Sequence, residues 1–388
     1  MGPLPGAEVT MHALLTKLGL ILAAAAAAYA VLAALASALA AARTRHRASD
    51  SGAALPAVTV LKPLCGAEFE LYERLCALCA QHYPRFQVVF GVQNPADTAL
   101  PVARRVQQQF AGLDIECVID PTRHGVNAKI SNLVNMLPRA RHDLLILADS
   151  DIAVPPDYLR RVLAPLHDPR VGLVTCAYAG RAGPGLWSAL GAQFINDWFM
   201  PSVYFAALFG SQWFVSGATI ALRRELLARC GGLKGLADQL ADDFQLGARM
   251  RGLGLRVVLS DLRVHTVVDE PSLAALCRHS LRWLRTIRAV RPWAYAGCFI
   301  TFSLPMAVLG AALARFQSGA LILLAITVAA RLVLHFGSHR DGWRQLGLIP
   351  LHDVLLLTLW CWAFGGREVS WRQQRFGVGR DGSLHRIR

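Results

Sequence analysis

Residues 12–42 are apolar and Ala-rich, and Arg43, Arg45 and Arg47 follow them at once. About 20 apolar residues suffice to cross a bilayer. A chain carrying this segment must therefore place a helix whose outer face accepts lipid. The trailing basic cluster puts that end of the helix in the cytoplasm. A cleaved signal peptide would have a shorter apolar core with its positive charge in front, so a retained anchor is expected. Two more long apolar runs lie at 294–316 and 318–337, with Arg315 in the loop between them. A third, at about 345–366, is interrupted by His352 and Asp353. Ionisable groups inside a membrane segment are costly, so they are functional or sheltered. Three full spans after a cytoplasmic domain would leave the basic tail outside. Segment 345–366 is therefore expected to lie in the interface or to re-enter.

Composition agrees with this reading. Of 388 residues, 54% are apolar and 17% charged, more apolar than a soluble domain. The length allows one ordinary catalytic domain beside the helices. A net charge of +14 fits nucleic acid or an anionic lipid surface. Much of the Arg lies beside apolar runs, and there is no zinc finger or aromatic-basic strand pair. The membrane is thus the expected partner, and nucleic acid is not. Arg far outnumbers Lys and Ala is abundant, which points to a GC-rich bacterial genome and an inner-membrane location. The nine cysteines are odd in number and irregularly spaced. Cys76 and Cys79 form a lone CxxC without a second ligand pair, so they are expected as core packing in a reducing compartment.

Residues 56–290 read as a cytosolic α/β domain. Short apolar runs at Ala57–Leu61, Phe86–Val92, Ile115–Ile119 and Leu144–Ala148 alternate with helical patterns at 68–82, 100–110 and 127–137. That alternation predicts a largely parallel sheet with helices on both faces. Ligands then bind at the carboxyl ends of strands, here just after Val92, Ile119 and Ala148. The full order is a tail 1–11, an anchor 12–42, a basic linker 43–55, the domain 56–290, membrane helices 294–366 and a basic cytosolic tail 367–388. Residues 194–214 add an aromatic-rich apolar stretch, either an interfacial segment or a core helix.

Four local patterns carry chemistry. In Leu145-Ile-Leu-Ala-Asp149-Ser-Asp151 a hydrophobic strand ends in two carboxylates that can face one hard cation. Such an ion neutralises a diphosphate leaving group. In Gly125-Val-Asn127-Ala-Lys129-Ile-Ser-Asn132 a loop brings a cation and amides into a helix start, which suits phosphate; the bland reading is an N-capped surface helix. Leu240-Ala-Asp242-Asp243-Phe244 sets two carboxylates in an apolar stretch, as a general base or as N-caps. His279-Ser-Leu-Arg282-Trp283 lies on a basic amphipathic helix, 274–290, just before a membrane run. Its face meets lipid headgroups, or Arg282 meets diphosphate while Trp283 walls an acceptor pocket.

In this order the patterns resemble the ceramide glucosyltransferase family and its bacterial relatives that glycosylate lipids such as hopanoids. Supporting stretches are VTVLKPLCG (58–66), GVNAKISNL (125–133), LADSDI (147–152), FVSGATIALRR (214–224), RWLRTIR (282–288) and WRQQRFGVGRDG (371–382). The resemblance implies a GT-A fold: a nucleotide-sugar-binding, mostly parallel sheet with N-terminal and C-terminal transmembrane helices. It implies metal-binding by Asp149 and Asp151, and a catalytic base at Asp243 with Asp242 in place of the common Glu. It sets His279, Arg282 and Trp283 on the Gln/Arg-x-x-Arg-Trp motif. The nucleotide-facing acidic position falls in Gln93–Asp97, where Asn94 stands in one expected Asp slot and Asp97 keeps the next.

The implied reaction is a single inverting displacement. Mg²⁺ or Mn²⁺ at Asp149 and Asp151 holds the diphosphate of a UDP-sugar, with Lys129 and Arg282 assisting. Asn127 and Asn132 lie in the same phosphate-facing stretch. Asp243 takes the proton of a lipid hydroxyl, on a ceramide or hopanoid type of acceptor. The rivals are a polyprenyl-phosphate or polysaccharide-forming transferase and a non-catalytic lipid-binding scaffold. His279, where Gln or Arg is usual, weakens the processive polymer synthase more than the lipid transferase.

Overall fold

A computed structural model describes residues 5–46, 55–210, 213–339, 342–371, 374–379 and 383–387. Arg47, most of the basic linker (47–54), and tail residues 372–373 and 380–382 lie outside the described residues. The chain divides into two compact units. One comprises Arg43–Gly185, Gly210–Glu270 and Arg367–Arg388; the other comprises Met1–Ala42, Leu186–Phe209 and Pro271–Gly366.

The first unit is built on an eight-stranded sheet. In chain order its strands are β1 (Val58–Pro63), β2 (Phe86–Val92), β3 (Asp114–Ile119), β4 (Leu144–Ala148), β5 (Ile152–Ala153), β6 (Val171–Ala182), β7 (Thr219–Arg223) and β8 (Arg256–Val268). The spatial order is β3-β2-β1-β4-β7-β6-β8-β5. Strands β1–β4 pair in parallel, as do β6 and β8, while β7 runs antiparallel to both β4 and β6. The continuous apolar sequences of β1, β2 and β4 are explained by burial of nearly every residue on both faces, as helix-covered parallel strands require. Leu61, Val89, Leu145, Leu147 and Leu222 pack with Ile130 and Leu133 of helix Ala128–Met136 and with Leu246 of helix Asp242–Gly252. Each such side chain, fully buried, contributes roughly 1.5–3 kcal/mol.

Two departures from the simple alternation matter for the site. Strand β4 is followed by the two-residue strand β5, which crosses to pair with β8 through Ile152 and Thr266. The basic tail is folded: β9 (Glu368–Trp371), β10 (Gln374–Val378) and β11 (Leu384–Arg386) form a small antiparallel sheet. It is tied to the first unit where Leu384 N donates to Asp238 O at 2.7 Å.

The second unit is helical. Met11–Thr44 and Ser318–Ser338 are long and apolar enough to cross a membrane. Pro292–Thr301 and Ser303–Leu313 pass that test together but meet at a 66° bend, so the run at 294–316 is a broken pair rather than one straight helix. The last apolar helix, Leu348–Ala363, has 16 residues, short of the usual span. Small residues allow close helix approach: a Cβ on Gly19 would lie 2.5 Å from Gly310 O. The stretch from 194 is helical here, with Phe194–Phe199 wound as a π-turn between helices Leu186–Gln193 and Met200–Leu208.

Candidate functional site

Strand β4 ends at Ala148, and the chain then turns with its carboxylates at the strand tip. Three anchors fix that turn. Asp149 N donates to Ala218 O at 3.2 Å, before β7. Lys62, at the tip of β1, donates to Asp149 O at 2.6 Å. Thr266 Oγ1 of β8 donates to Asp151 Oδ2 at 2.7 Å. The intervening Ser150 donates to Glu68 at 3.0 Å, and Arg74 reaches Ser150 O at 3.1 Å.

Asn127 caps helix Ala128–Met136, its side chain accepting from Ile130 N at 3.1 Å. Its amide also donates to Gln239 O at 2.9 Å and to Asp242 Oδ1 at 3.2 Å. The cap therefore fastens the acidic pair to the Lys129 turn. Lys129 Nζ stands 2.6 Å from Asp149 Oδ1 and 3.9 Å from Asp242 Oδ2. Asp242 and Asp243 open helix Asp242–Gly252, where the helix dipole favours negative charge. Asp243 accepts from Gly217 N at 2.9 Å and from Phe244 N at 2.7 Å.

Gly217 lies where these groups converge. A Cβ there would stand 3.1 Å from Lys129 Nζ, 3.3 Å from Asp243 Oδ2 and 3.7 Å from Asp149 Oδ2. Three of the side chains singled out in sequence thus surround one α-carbon, where a Cβ would press on Lys129 and Asp243.

Four carboxylates (Asp149, Asp151, Asp242, Asp243) face two ammonium groups (Lys62, Lys129), leaving two negative charges uncompensated. Enclosure and the adjoining Asp242 push Asp243 up to about 7, against the pull of Lys129. Burial pulls Lys62 down to about 8, although Asp151 and Asp149 favour its charge. Lys129 is held above the ordinary lysine range: burial opposes its charge, but Asp149 and Asp242 outweigh it. Asp149 Oδ2 and Asp151 Oδ1 take no hydrogen bond among the described residues. Two open carboxylate oxygens in a field short of two positive charges fit a hard divalent ion, whose other ligands would be diphosphate and water.

The other nominated residues fall as follows. Asp97 accepts from Gly66 N at 2.7 Å and Ala99 N at 2.9 Å, binding the loop after β1 to the loop after β2. Asn94 is exposed and accepts from Ala96 N. Asn132 is buried and donates to Gly91 O of β2 at 2.8 Å, so its amide braces the sheet. His279, Arg282 and Trp283 lie in the second unit, on helix Leu273–Val290. There Trp283 packs edge-on against Phe194 and Phe199, at 5.6 and 5.1 Å between ring centres, and 5.8 Å from His279. All nine cysteines are free, and Cys79 is buried.

Sequence reasoning passed over Lys62, Thr266 and Gly217. Lys62 had a signal: it is the one charge in the apolar strand VTVLKP. Thr266 had none, because its role depends on the pairing of β5 with β8.

Comparison with known proteins adds three findings. A model of glycosyl transferase family 21 matches residues 20–384. Ceramide glucosyltransferase 1 of Caenorhabditis elegans is 22% identical over 249 residues, 64% of this chain and 53% of that protein. Ceramide glucosyltransferase of Gibberella zeae is 29% identical over 134 residues, 32% of this chain and 25% of that protein. The chain thus spans about half the length of the nematode relative. Among solved structures, mannosyltransferase PcManGT from Pyrobaculum calidifontis, in complex with GDP-Man and Mn²⁺, aligns with a TM-score of 0.52 at 22% identity. The alignment covers 88% of this chain and 99% of that one, and places the two in the same fold.

Proposed function

The chain belongs to glycosyl transferase family 21, and from that premise we propose a membrane-bound enzyme that transfers a hexose or N-acetylhexosamine from a UDP-sugar to a lipid hydroxyl, with inversion. The observation that carries this reading is the convergence of Lys129, Asp149 and Asp243 around Gly217 at the strand tips. A ceramide or hopanoid type of acceptor is favoured by the family and by the apolar helices of the second unit. A bacterial inner-membrane location, with the sheet unit in the cytoplasm, follows from the composition and from Arg43 after the first long helix.

Asp149 and Asp151 would hold Mg²⁺ or Mn²⁺, which when bound supplies charge neutralisation for the departing diphosphate. Lys129 adds a fixed ammonium at the same place and costs no reorganisation during the reaction. Asp97 and Asn94 lie in the loop assigned to the nucleotide base, and Arg282 to the diphosphate. Asp243 takes the acceptor hydroxyl's proton through Oδ2 as the hydroxyl oxygen bonds to the sugar C1 and the bond from C1 to the diphosphate oxygen breaks, releasing UDP. A base whose pKa sits near the working pH suits proton removal. Gly217 N and Phe244 N hold both carboxylate oxygens in place, so the base does not have to find its rotamer. The family resemblance assigns Trp283 to the lipid acceptor.

The test is transfer of radiolabelled sugar from UDP-glucose, and separately from UDP-N-acetylglucosamine, into extractable lipid by membranes carrying wild type or Asp243→Asn. Label in lipid that is lost with EDTA and in the variant is the expected result. A ladder of products would point instead to a polymer-forming enzyme. No label from either donor, with well-folded protein and both acceptor types, would overturn the reading.

A further inference from the structure

A second cluster of ligating side chains lies wholly within the helical unit. We propose that Asp197, His335 and His339 form a structural transition-metal site, of the zinc type, independent of the chemistry at Asp149 and Asp151. The ligand atoms of these three residues lie within 4.8 Å of one another. His335 lies in the last turn of helix Ser318–Ser338, His339 is the extended residue that caps it, and Asp197 belongs to the π-turn Phe194–Phe199. Single π-turns inside helices frequently mark functional positions.

The hydrogen bonds make the case sharper. His335 Nε2 lies 2.9 Å from Gly342 O, and a carbonyl can only accept. His335 Nε2 therefore carries a proton, and in a neutral ring Nδ1 then presents a lone pair. That lone pair points at Asp197 Oδ2, 2.8 Å away, itself an acceptor. Two acceptors at this distance require something positive between them, a second proton or a metal ion. His339 Nε2 approaches the other oxygen of the same carboxylate at 2.9 Å. A ring nitrogen held by a backbone carbonyl while its partner faces the ligand position is the usual outer shell of a metal-bound histidine.

Arg331 is shared between two acids: it bonds Asp353 at 2.8 and 3.3 Å, and its Nη1 makes no hydrogen bond but pairs with Asp197 Oδ2 at 3.6 Å. Asp197 and Asp353 thus bring two negative charges against one arginine, and the balance falls to the imidazoles of His335, His339 and His352 or to an ion, in a pocket where the Asp197 and His335 side chains are 0% exposed. Two imidazoles and a carboxylate are ligands that Zn²⁺ takes, and the fourth would be a water. Bond lengths of about 2.0–2.1 Å would set the ligand atoms ~3.3 Å apart; His335 and His339 now face different oxygens of Asp197, so both rings would turn toward one ion. The ion would fasten helix Ser318–Ser338 to the π-turn.

The test uses full-length protein purified in detergent and dialysed against EDTA, with metal counted by mass spectrometry and Co²⁺ substitution followed by visible absorption. Wild type is expected to retain about one zinc per chain, and so is Asp149→Asn; His339→Ala, altered at the rim of the pocket, is expected to lose it. The cobalt form should show four-coordinate absorption in wild type and not in His339→Ala. Absence of stoichiometric zinc in folded wild type, even after incubation with ZnCl₂, would overturn the proposal and leave protons as the balancing charge. Zinc that survives His339→Ala, or that disappears with Asp149→Asn, would overturn it equally.

Discussion

The two units bury charge in opposite ways. At the strand tips of the sheet unit, Lys129 and Asp149 remain 19% and 32% exposed, and carboxylate oxygens are left open. In the helical unit the Asp197, Arg331 and Asp353 side chains are at most 9% exposed and face one another. The first arrangement leaves unspent valence that a ligand can use. The second sets its acids against an arginine and imidazoles in a buried pocket, where uncompensated charge is costly. The contrast separates open groups, to which the proposed reaction assigns the chemistry, from buried groups that pair with one another, although both consist of acids beside cations.

The sharpest way to break the comparison is to remove one group from each set. Asp243→Asn should lower the initial transfer rate by about 10²–10⁴-fold, the usual contribution of a general base, with the melting temperature nearly unchanged. Arg331→Met should do the reverse, costing about 3–5 kcal/mol of stability, because it strands two buried carboxylates. Pairing it with Asp353→Leu should recover much of that loss, since an apolar pair replaces a broken ion pair. Thermal melting in detergent measures both. A double variant as unstable as the sum of its parts would show that Arg331 and Asp353 do not act as one unit.

Legibility in the sequence follows the same divide. Strands β1 to β4 match their apolar runs closely, because burial on both faces leaves no polar interruption to misread. The far half of the sheet was not legible. Strand β8, RVVLSDLRVHTVV, carries Asp and Arg, and its pairing with β6 slips in register between Cys176 and Ala177, which destroys a clean period of two. The short strands β9 to β11 read only as a basic tail. In the site, Asp149, Asp151, Lys129 and Asp243 were legible because each departs from its apolar surroundings. Their supports were not: Gly217 and Thr266 act through tertiary pairing, which local sequence does not encode. Asp197 was quoted within an aromatic stretch, but its histidine partners lie more than a hundred residues away.

Lys62 sharpens the comparison, because it is a buried cation inside the open site. It holds the Asp149 carbonyl rather than a carboxylate. Lys62→Met should therefore loosen the turn that presents Asp149 and Asp151, without removing either of them. The expected loss is about 1.5–3 kcal/mol of transition-state stabilisation, the range for a hydrogen bond to a charged donor. It should be read mainly as a raised KM for the nucleotide sugar, with partial rescue by Lys62→Arg. An unchanged KM would mean that Thr266 and Ala218 hold the turn by themselves.

The smallest expected effect is a shift on the pH axis. Asp243 must be ionised to accept a proton, and its folded pKa is raised to about 7. kcat/KM should therefore rise as pH increases through about 7 and fall away below it, the opposite of what a general acid would give. The groups facing it are Asp242 and Asp149, which raise its pKa, and Lys129, which lowers it. Asp242→Asn removes the larger like charge, so the midpoint should move to lower pH while the maximal rate changes little. Lys129→Met removes the opposing charge and should move it upward. If both variants leave the midpoint in place, the titration seen in the rate belongs to another group, and Asp243 is ionised throughout.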